Sequence, residues 1–272
     1  MLKSSMSERR LTEIWIYPIK SLGGIRVKSS KVLEKGLEHD RRWMLIDEDN
    51  EFMTQRLYPR MALFKLSMFN DQFSITYKSE SIILPFIHSI IDLPIKAKIW
   101  DDTVQVFEVG DEFSQWFSDR LQMKCRLVSF PEANARPVDE HYQINHEHVS
   151  LADAYPFLII GEQTLADLNS RLKEPLPMNR FRPNFVFSGG QPYEEDSWKT
   201  FSIGKNKFAG VKQCARCVLT TVNQDTADKG IEPLLTLSQY RKKESKVLFG
   251  KNLVALNHNE IHEGDEISFY EN

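Results

Sequence analysis

Short runs in which apolar and polar residues alternate fill the first half of the chain. Leu11-Thr-Glu-Ile-Trp-Ile-Tyr17 is rich in β-formers and stops at Pro18. Comparable runs span 25–33, the apolar stretch after Arg42, the segment from Phe52, and residues 62–68, 73–77, 82–84, 97–100, 103–109 and 124–128. Turn residues separate them. Many short strands between turn signals predict an antiparallel, barrel-like module.

Helical spacing is rarer. Phe113, Phe117 and Leu121 recur every fourth residue behind the acids Asp111 and Glu112, which predicts a helix over 111–121. Leu165, Leu168 and Leu172 share one face of a second helix, which Pro175 and Pro177 end. A third begins near Pro233 and runs to the basic triplet Arg241-Lys242-Lys243. Strands are expected at 153–160, 185–187, 198–203, 207–211, 218–222, 247–249, 253–256 and 266–270, enough for a second small barrel. The expected fold is therefore mixed and β-rich, of the α+β class. A flexible leader (1–10) precedes an antiparallel β-barrel module (11–129), and a second β-barrel with peripheral helices follows (130–272).

Composition narrows the function. The chain has 272 residues, 41% hydrophobic and 27% charged, with a net charge of −3, so neither nucleic acid nor a membrane surface is an expected partner. No apolar run reaches the roughly 20 residues that crossing a bilayer needs, and residues 1–10 lack the apolar core of a signal peptide. Three cysteines make no disulfide framework, which points to a reducing compartment and an expected cytoplasmic location. Cys125, inside a short strand, reads as packing. Residues 131–149 are polar and carry His141, His146 and His148, with no second cluster at ligand spacing, and read as a mobile loop near a site.

The candidate chemistry sits at strand ends. Lys20 and Ser21 precede Gly23-Gly24 in a turn suited to an anion. Arg41, Arg56 and Arg60 lie near strand ends within twenty residues of one another. Arg180 and Arg182, flanked by Asn179 and Asn184, lead into a buried strand, where they are costly to bury unless something anionic fills the space. Cys214-Ala-Arg-Cys217 holds the other two thiols. A Cys-x-x-Cys pair at the mouth of a strand suits a soft metal or redox work, and equally two buried inert thiols. A single pair is at most half a zinc ribbon, and three cysteines cannot supply the four thiolates of an iron–sulfur cluster. A metal that arrives with most of its ligands already supplied remains. Arg216, next to Cys217, favours a thiolate there.

These motifs, in this order, resemble the MOSC-domain proteins that carry an N-terminal MOSC β-barrel. That family includes the mitochondrial amidoxime-reducing component and bacterial reductases of N-hydroxylated bases. The resemblance runs from about Leu11 to Tyr270. It is carried by Tyr17-Pro-Ile-Lys-Ser21, Asp40-Arg41-x-Trp43, Thr54-x-Arg56-x-x-Pro-Arg60, Leu165-Ala-Asp-Leu-Asn-Ser-Arg-Leu172, Phe181-Arg182-Pro183-Asn184, Glu195-Asp-Ser-Trp198, Cys214-x-Arg216-Cys217-x-Leu-Thr-Thr-Val222 and Glu232-Pro-Leu-x-Thr-Leu-x-x-Tyr-Arg241. The turn Asn223-Gln-Asp-Thr-Ala-Asp-Lys-Gly230 is longer than the family's usual Asp-x-Asp-Thr-Gly.

The resemblance implies a pterin-based molybdenum cofactor (Mo-molybdopterin), whose dithiolene gives the metal two sulfurs and Cys217 a third. It implies that Lys20, Ser21 and Arg41 hold the phosphate side, that Arg180, Arg182 and Asn184 line the pterin, and that Asp153 opens a matching site segment, with Arg56 adding to the cationic cluster. The implied reaction removes oxygen from N-hydroxylated compounds such as amidoximes, hydroxylamines and N-hydroxylated bases. Cys217 is the catalytic ligand, and either Asp225 or water supplies the proton. Electrons are expected from a separate carrier protein of ferredoxin or cytochrome type. The alternative is a protein that binds and carries the cofactor, or transfers sulfur to it, without reductase turnover.

Overall fold

The computed structural model describes residues 8–87 and 93–270, and there the alternating runs become four sheets. The largest has nine strands. At its centre the antiparallel pair Asn206–Arg216 and Lys246–Ala255 is flanked by Phe157–Gly161 and Phe185–Ser188, which run parallel to each other. Beyond them lie Arg10–Ile16 and Ile25–Val27; Thr200–Ile203 and Ile267–Phe269 close the other side.

The first strand of the chain thus belongs to the sheet built mostly by its last third. Ile14 pairs with Phe185, and Leu11 and Ile14 are fully buried, so a hydrophobic face rather than sequence proximity selects the partner. Glu260–His262 returns the exchange by pairing with Ser29–Leu33. The remaining N-terminal strands form a four-stranded sheet, in which Trp43–Ile46 neighbours Arg126–Ser129, and a three-stranded meander over residues 64–85.

Aromatic rings fill the space under the large sheet. Phe157, Phe185 and Phe208 lie 5.5–5.6 Å apart by ring centroid, with Phe201 against Phe208 at 6.1 Å. Each such ring contributes about 2–3 kcal/mol on burial. Helix α1 (Asp111–Leu121) adds Phe113, Phe117 and Leu121 to the same core, the stripe that its spacing foretold. Helix α2 (Glu162–Ser170) starts earlier than its leucines indicate, because Gly161 turns the chain there. A Cβ on Gly161 would stand 2.8 Å from the Phe187 ring, so the close approach demands glycine.

Several expectations need correction. Residues 218–222, read as a strand, form a 3₁₀ turn over Val218–Thr221. The hydroxyls of Thr220 and Thr221 donate to the carbonyls of Cys217 and Val218 at 2.9 and 2.8 Å, and this local bonding outcompetes a sheet ladder. Helix α3 (Leu234–Tyr240) stops before the basic triplet, and Lys242–Lys243 pairs instead with the Lys246–Ala255 strand. The runs at 247–249 and 253–256 are one strand, not two. Of the expected leader, residues 1–7 lie outside the described residues, whereas Arg9 pairs with Glu194 and Arg10 begins a strand. The segment expected to be a mobile loop is tied down, with Val138 and Val149 buried and Pro137 bridged to His148. Among the described residues no helix is long and apolar enough to cross a membrane, and no group of His, Cys, Asp and Glu is placed to hold a metal ion.

One buried acid makes stability depend on pH. Glu195 is fully buried, accepts from Thr164 Oγ1 at 2.9 Å and from the Gly161 N–H at 3.3 Å, and burial pushes its carboxyl up to about 7. Between the ordinary 4.5 and 7 the folded chain therefore keeps a proton that the unfolded chain releases. Stability should fall by up to about 3 kcal/mol as pH rises through that window, then level off. Urea denaturation from pH 4.5 to 8 should show this slope in the wild type and its loss in Glu195→Gln.

Candidate functional site

A cavity of about 330 Å³ opens where the end of the Arg10–Ile16 strand, the start of the Phe157–Gly161 strand and the end of the Asn206–Arg216 strand converge. Its floor is organised by Asp40, which is fully buried. The carboxylate accepts the Tyr17 N–H at 2.7 Å, Arg41 Nη1 at 2.8 and 2.6 Å, and Asn184 Nδ2 at 3.1 Å. Arg41 and Arg182 then stack on the Tyr17 ring, each guanidinium 4.2 Å from its centroid. The Tyr17 hydroxyl donates to the Pro183 carbonyl at 3.1 Å, and burial raises its pKa to about 12. Gly24 makes room for this ring, since a Cβ there would stand 2.5 Å from Tyr17 Cε1.

Two like charges on one ring are unfavourable unless something offsets them, and Asp40 engages only Arg41 directly. Arg182 is buried, its Nη2 has no hydrogen-bond partner, and burial lowers its pKa to about 10. Ser21, Arg41 and Arg182, all on the cavity wall, have φ of 65°, 52° and 54°. Each such conformation costs about 1 kcal/mol or more in a residue other than glycine. Strained backbone and an orphaned buried donor thus coincide in one wall of the cavity.

Lys20 forms the next part of the wall. Its ammonium donates to the Leu151 carbonyl at 2.8 Å and to Asp153 Oδ1 at 2.6 Å. An ammonium has three donors, so one remains for the cavity. Burial lowers the Lys20 pKa to about 8, although Asp153 opposes the shift. Desolvation disfavours charge on Asp153, yet Lys20 and Arg56 hold its carboxyl below the usual range, and Trp100 Nε1 donates to it at 3.2 Å. Arg56 itself lies outside the wall, its guanidinium 3.8 Å from the centroid of the Trp100 ring.

Opposite, the Asn206–Arg216 strand delivers Cys217 to the cavity at its end, where the 3₁₀ turn begins. Arg216 fixes this end by donating to the Phe249 and Phe181 carbonyls at 2.7 and 3.0 Å, with its Nη2 buried and unpartnered. Arg180 donates to the Thr220 carbonyl at 2.8 Å and so holds the turn itself. Cys217 is half-buried, as is Cys214, whose pKa burial raises.

The structure thus brings Lys20, Ser21, Arg41, Asp153, Arg180, Arg182, Asn184 and Cys217 to one cavity. It leaves Asp225 outside, exposed and paired with Lys65 at 2.8 Å. Asn184 meets the cavity, but its amide is committed to the Leu158 N–H, the Trp15 carbonyl and Asp40. Asp139, Tyr155, Lys212, Lys246 and Asn252 also stand in the wall, though no motif in the sequence singles them out. Lys212 had a weak signal, lying on the strand that ends at Cys217. The long turn Asn223–Gly230 docks on the N-terminal half, where Gln224 and Gln55 exchange amide hydrogen bonds and Gln55 holds the Ser21 carbonyl at 2.7 Å.

Seven cationic side chains and two acidic ones line the cavity. Such a wall, with two orphaned guanidinium nitrogens near a thiol, fits a phosphate-bearing anionic group whose metal takes one sulfur ligand.

The chain has relatives among known proteins. Residues 8–124 match the family described as the MOSC N-terminal beta barrel domain, and residues 146–268 match the MOSC domain. The mouse mitochondrial amidoxime-reducing component 1 is 35% identical, over 89% of this chain and 74% of its own length. The human protein of that name is 33% identical, over 94% of this chain and 82% of its own. The rice molybdenum cofactor sulfurase is 32% identical over 97% of this chain, but the match covers only 34% of that longer protein.

The floor yields a direct test. Asp40→Asn removes the buried charge from Arg41 while keeping the side-chain volume. Breaking a buried pair on one side costs about 3 kcal/mol or more, and the urea midpoint should fall accordingly. An unchanged midpoint would show that Asp40 does not organise the floor.

Proposed function

The chain belongs to the MOSC-domain family with an N-terminal MOSC β-barrel domain, and on that footing we propose that it is a molybdenum-cofactor-dependent reductase of N-hydroxylated compounds. The observation that carries this reading is Cys217 at the end of its strand, facing a cationic wall in which Arg182 Nη2 lacks a partner. Lys20, Ser21, Arg41, Arg180 and Arg182 would hold the phosphate and pterin side of the cofactor, and Cys217 Sγ would bind its metal. When bound, the cofactor supplies the two-electron chemistry that takes the oxygen from nitrogen.

The protein's part is orientation and charge. Arg180 donates to the Thr220 carbonyl just after Cys217, and Arg216, just before it, to the Phe249 and Phe181 carbonyls, so the backbone is anchored on both sides of the thiol. The unused donor of Lys20 and the free edge of Arg182 offset negative charge at the inner end. Asp225 is exposed and engaged by Lys65, so water entering at the mouth is the better source of the two protons that leave with the oxygen. The two electrons come from a separate carrier protein. Amidoximes are the first substrate class to examine, because the mouse and human relatives are named for reducing them. The rice sulfurase supports a second reading, in which the domain holds the cofactor for sulfur transfer.

Purified protein, given an amidoxime and an artificial one-electron donor, should form the amidine. Cys217→Ala should lose on the order of 100-fold or more of that activity. Wild-type protein that holds a full complement of molybdenum yet reduces no N-hydroxylated compound would reject the reductase and favour the carrier.

A further inference from the structure

Both acceptors of the Lys20 ammonium, the Leu151 carbonyl and the Asp153 carboxylate, lie on residues 151–153, which form neither helix nor strand. Something else must hold that segment in place. Arg136, 4% exposed, donates from Nη1 to the carbonyls of Ser150 and Ala152 at 2.9 and 2.5 Å, and from Nη2 to the Asp153 carbonyl at 3.1 Å. Its Nε donates to Asp102 Oδ2 at 2.7 Å, which ties the arrangement to the N-terminal hairpin. The Val149 N–H returns to the Arg136 carbonyl at 2.8 Å. One guanidinium therefore spans four acceptors on two parts of the chain. Arg136 lies between the two matched domains, in residues that neither covers.

We propose that Arg136 is a positioning residue of the anion site: its planar fork holds residues 150–153 so that Leu151 and Asp153 orient the Lys20 ammonium and leave its third donor for the bound anion. Its hydrogen bonds go to three backbone carbonyls and to Asp102, and it is not part of the cavity wall, so it acts through Lys20 rather than on the ligand. A lysine cannot replace it fully, because a point charge does not reproduce the fork. The inference rests on reading the cavity as an anion site, but its test needs no cofactor and so fails or succeeds separately from the reductase proposal.

The groups facing Lys20 are Asp153, Arg136, Arg41 and the Phe52 ring, 5.3 Å from its Nζ. Asp153 raises the Lys20 pKa and Arg136 lowers it, so positioning and bare charge predict opposite shifts. In Arg136→Gln the segment is freed, Asp153 and the Leu151 carbonyl leave a lysine that stays buried, and its pKa falls below about 8. Titrating the ¹³Cε shift of Lys20, assigned by its absence in Lys20→Arg, should show the midpoint lowered by about one pH unit, ten-fold in the equilibrium. A raised midpoint would mean that Arg136 acts by charge alone, and an unchanged one that it is only scaffold; either overturns the proposal. If Arg136→Gln does not fold, Arg136→Lys serves. It keeps the charge and loses the fork, so positioning predicts a smaller fall in the same direction and any other result rejects it.

Discussion

The Asp40 carboxylate is the constraint on which the rest of the site depends. It is buried, it is charged, and it joins three stretches that the sequence keeps far apart: the end of the first strand at Tyr17, its own neighbour Arg41, and Asn184 at the start of a strand 144 residues later. Because Asn184 also bonds to Leu158 and Trp15, the same few atoms knit the first strand of the chain into the sheet of the last third. Arg41 and Arg182 can share the face of Tyr17 only because that scaffold fixes the ring between them.

From this floor the electrostatics of the cavity follow. Burying Lys20, Arg180 and Arg182 lowers the pKa of each, which means that the folded chain holds these charges against their preference for water. Several are offset within the protein, Lys20 by Asp153 and Arg180 by carbonyls. Arg182 has no such offset, and its Nη2 is left buried without a hydrogen-bond partner. The strained backbone at Ser21, Arg41 and Arg182 fits the same picture, since folding spends free energy there on geometry.

Much of this was legible in the residues. The alternating runs foretold strands, and the four-residue spacing of Phe113, Phe117 and Leu121 gave helix α1 its bounds. Charged strand ends marked Lys20, Arg41, Arg180 and Arg182 because buried cations are rare without a purpose. Other features left no local trace. The β-branched run after Cys217 signals a strand, and only the backward bonds of its threonine hydroxyls make it a turn. The partner of the first strand is a long-range choice made by buried faces. Arg136 bonds mainly to backbone carbonyls, which carry no sequence signature, so the polar run 131–149 reads as a mobile loop although its ends are tied down. Asp225 stood close to Cys217 in sequence, but the chain turns it out to Lys65.

In the proposed function one sulfur, Cys217, binds the metal within this cationic cavity while Cys214 beside it does not. The deciding measurement is elemental analysis of purified wild type, Cys214→Ala and Cys217→Ala. Near-stoichiometric molybdenum is expected in the wild type and in Cys214→Ala, and almost none in Cys217→Ala. Equal molybdenum in all three, or none in the wild type, would contradict it.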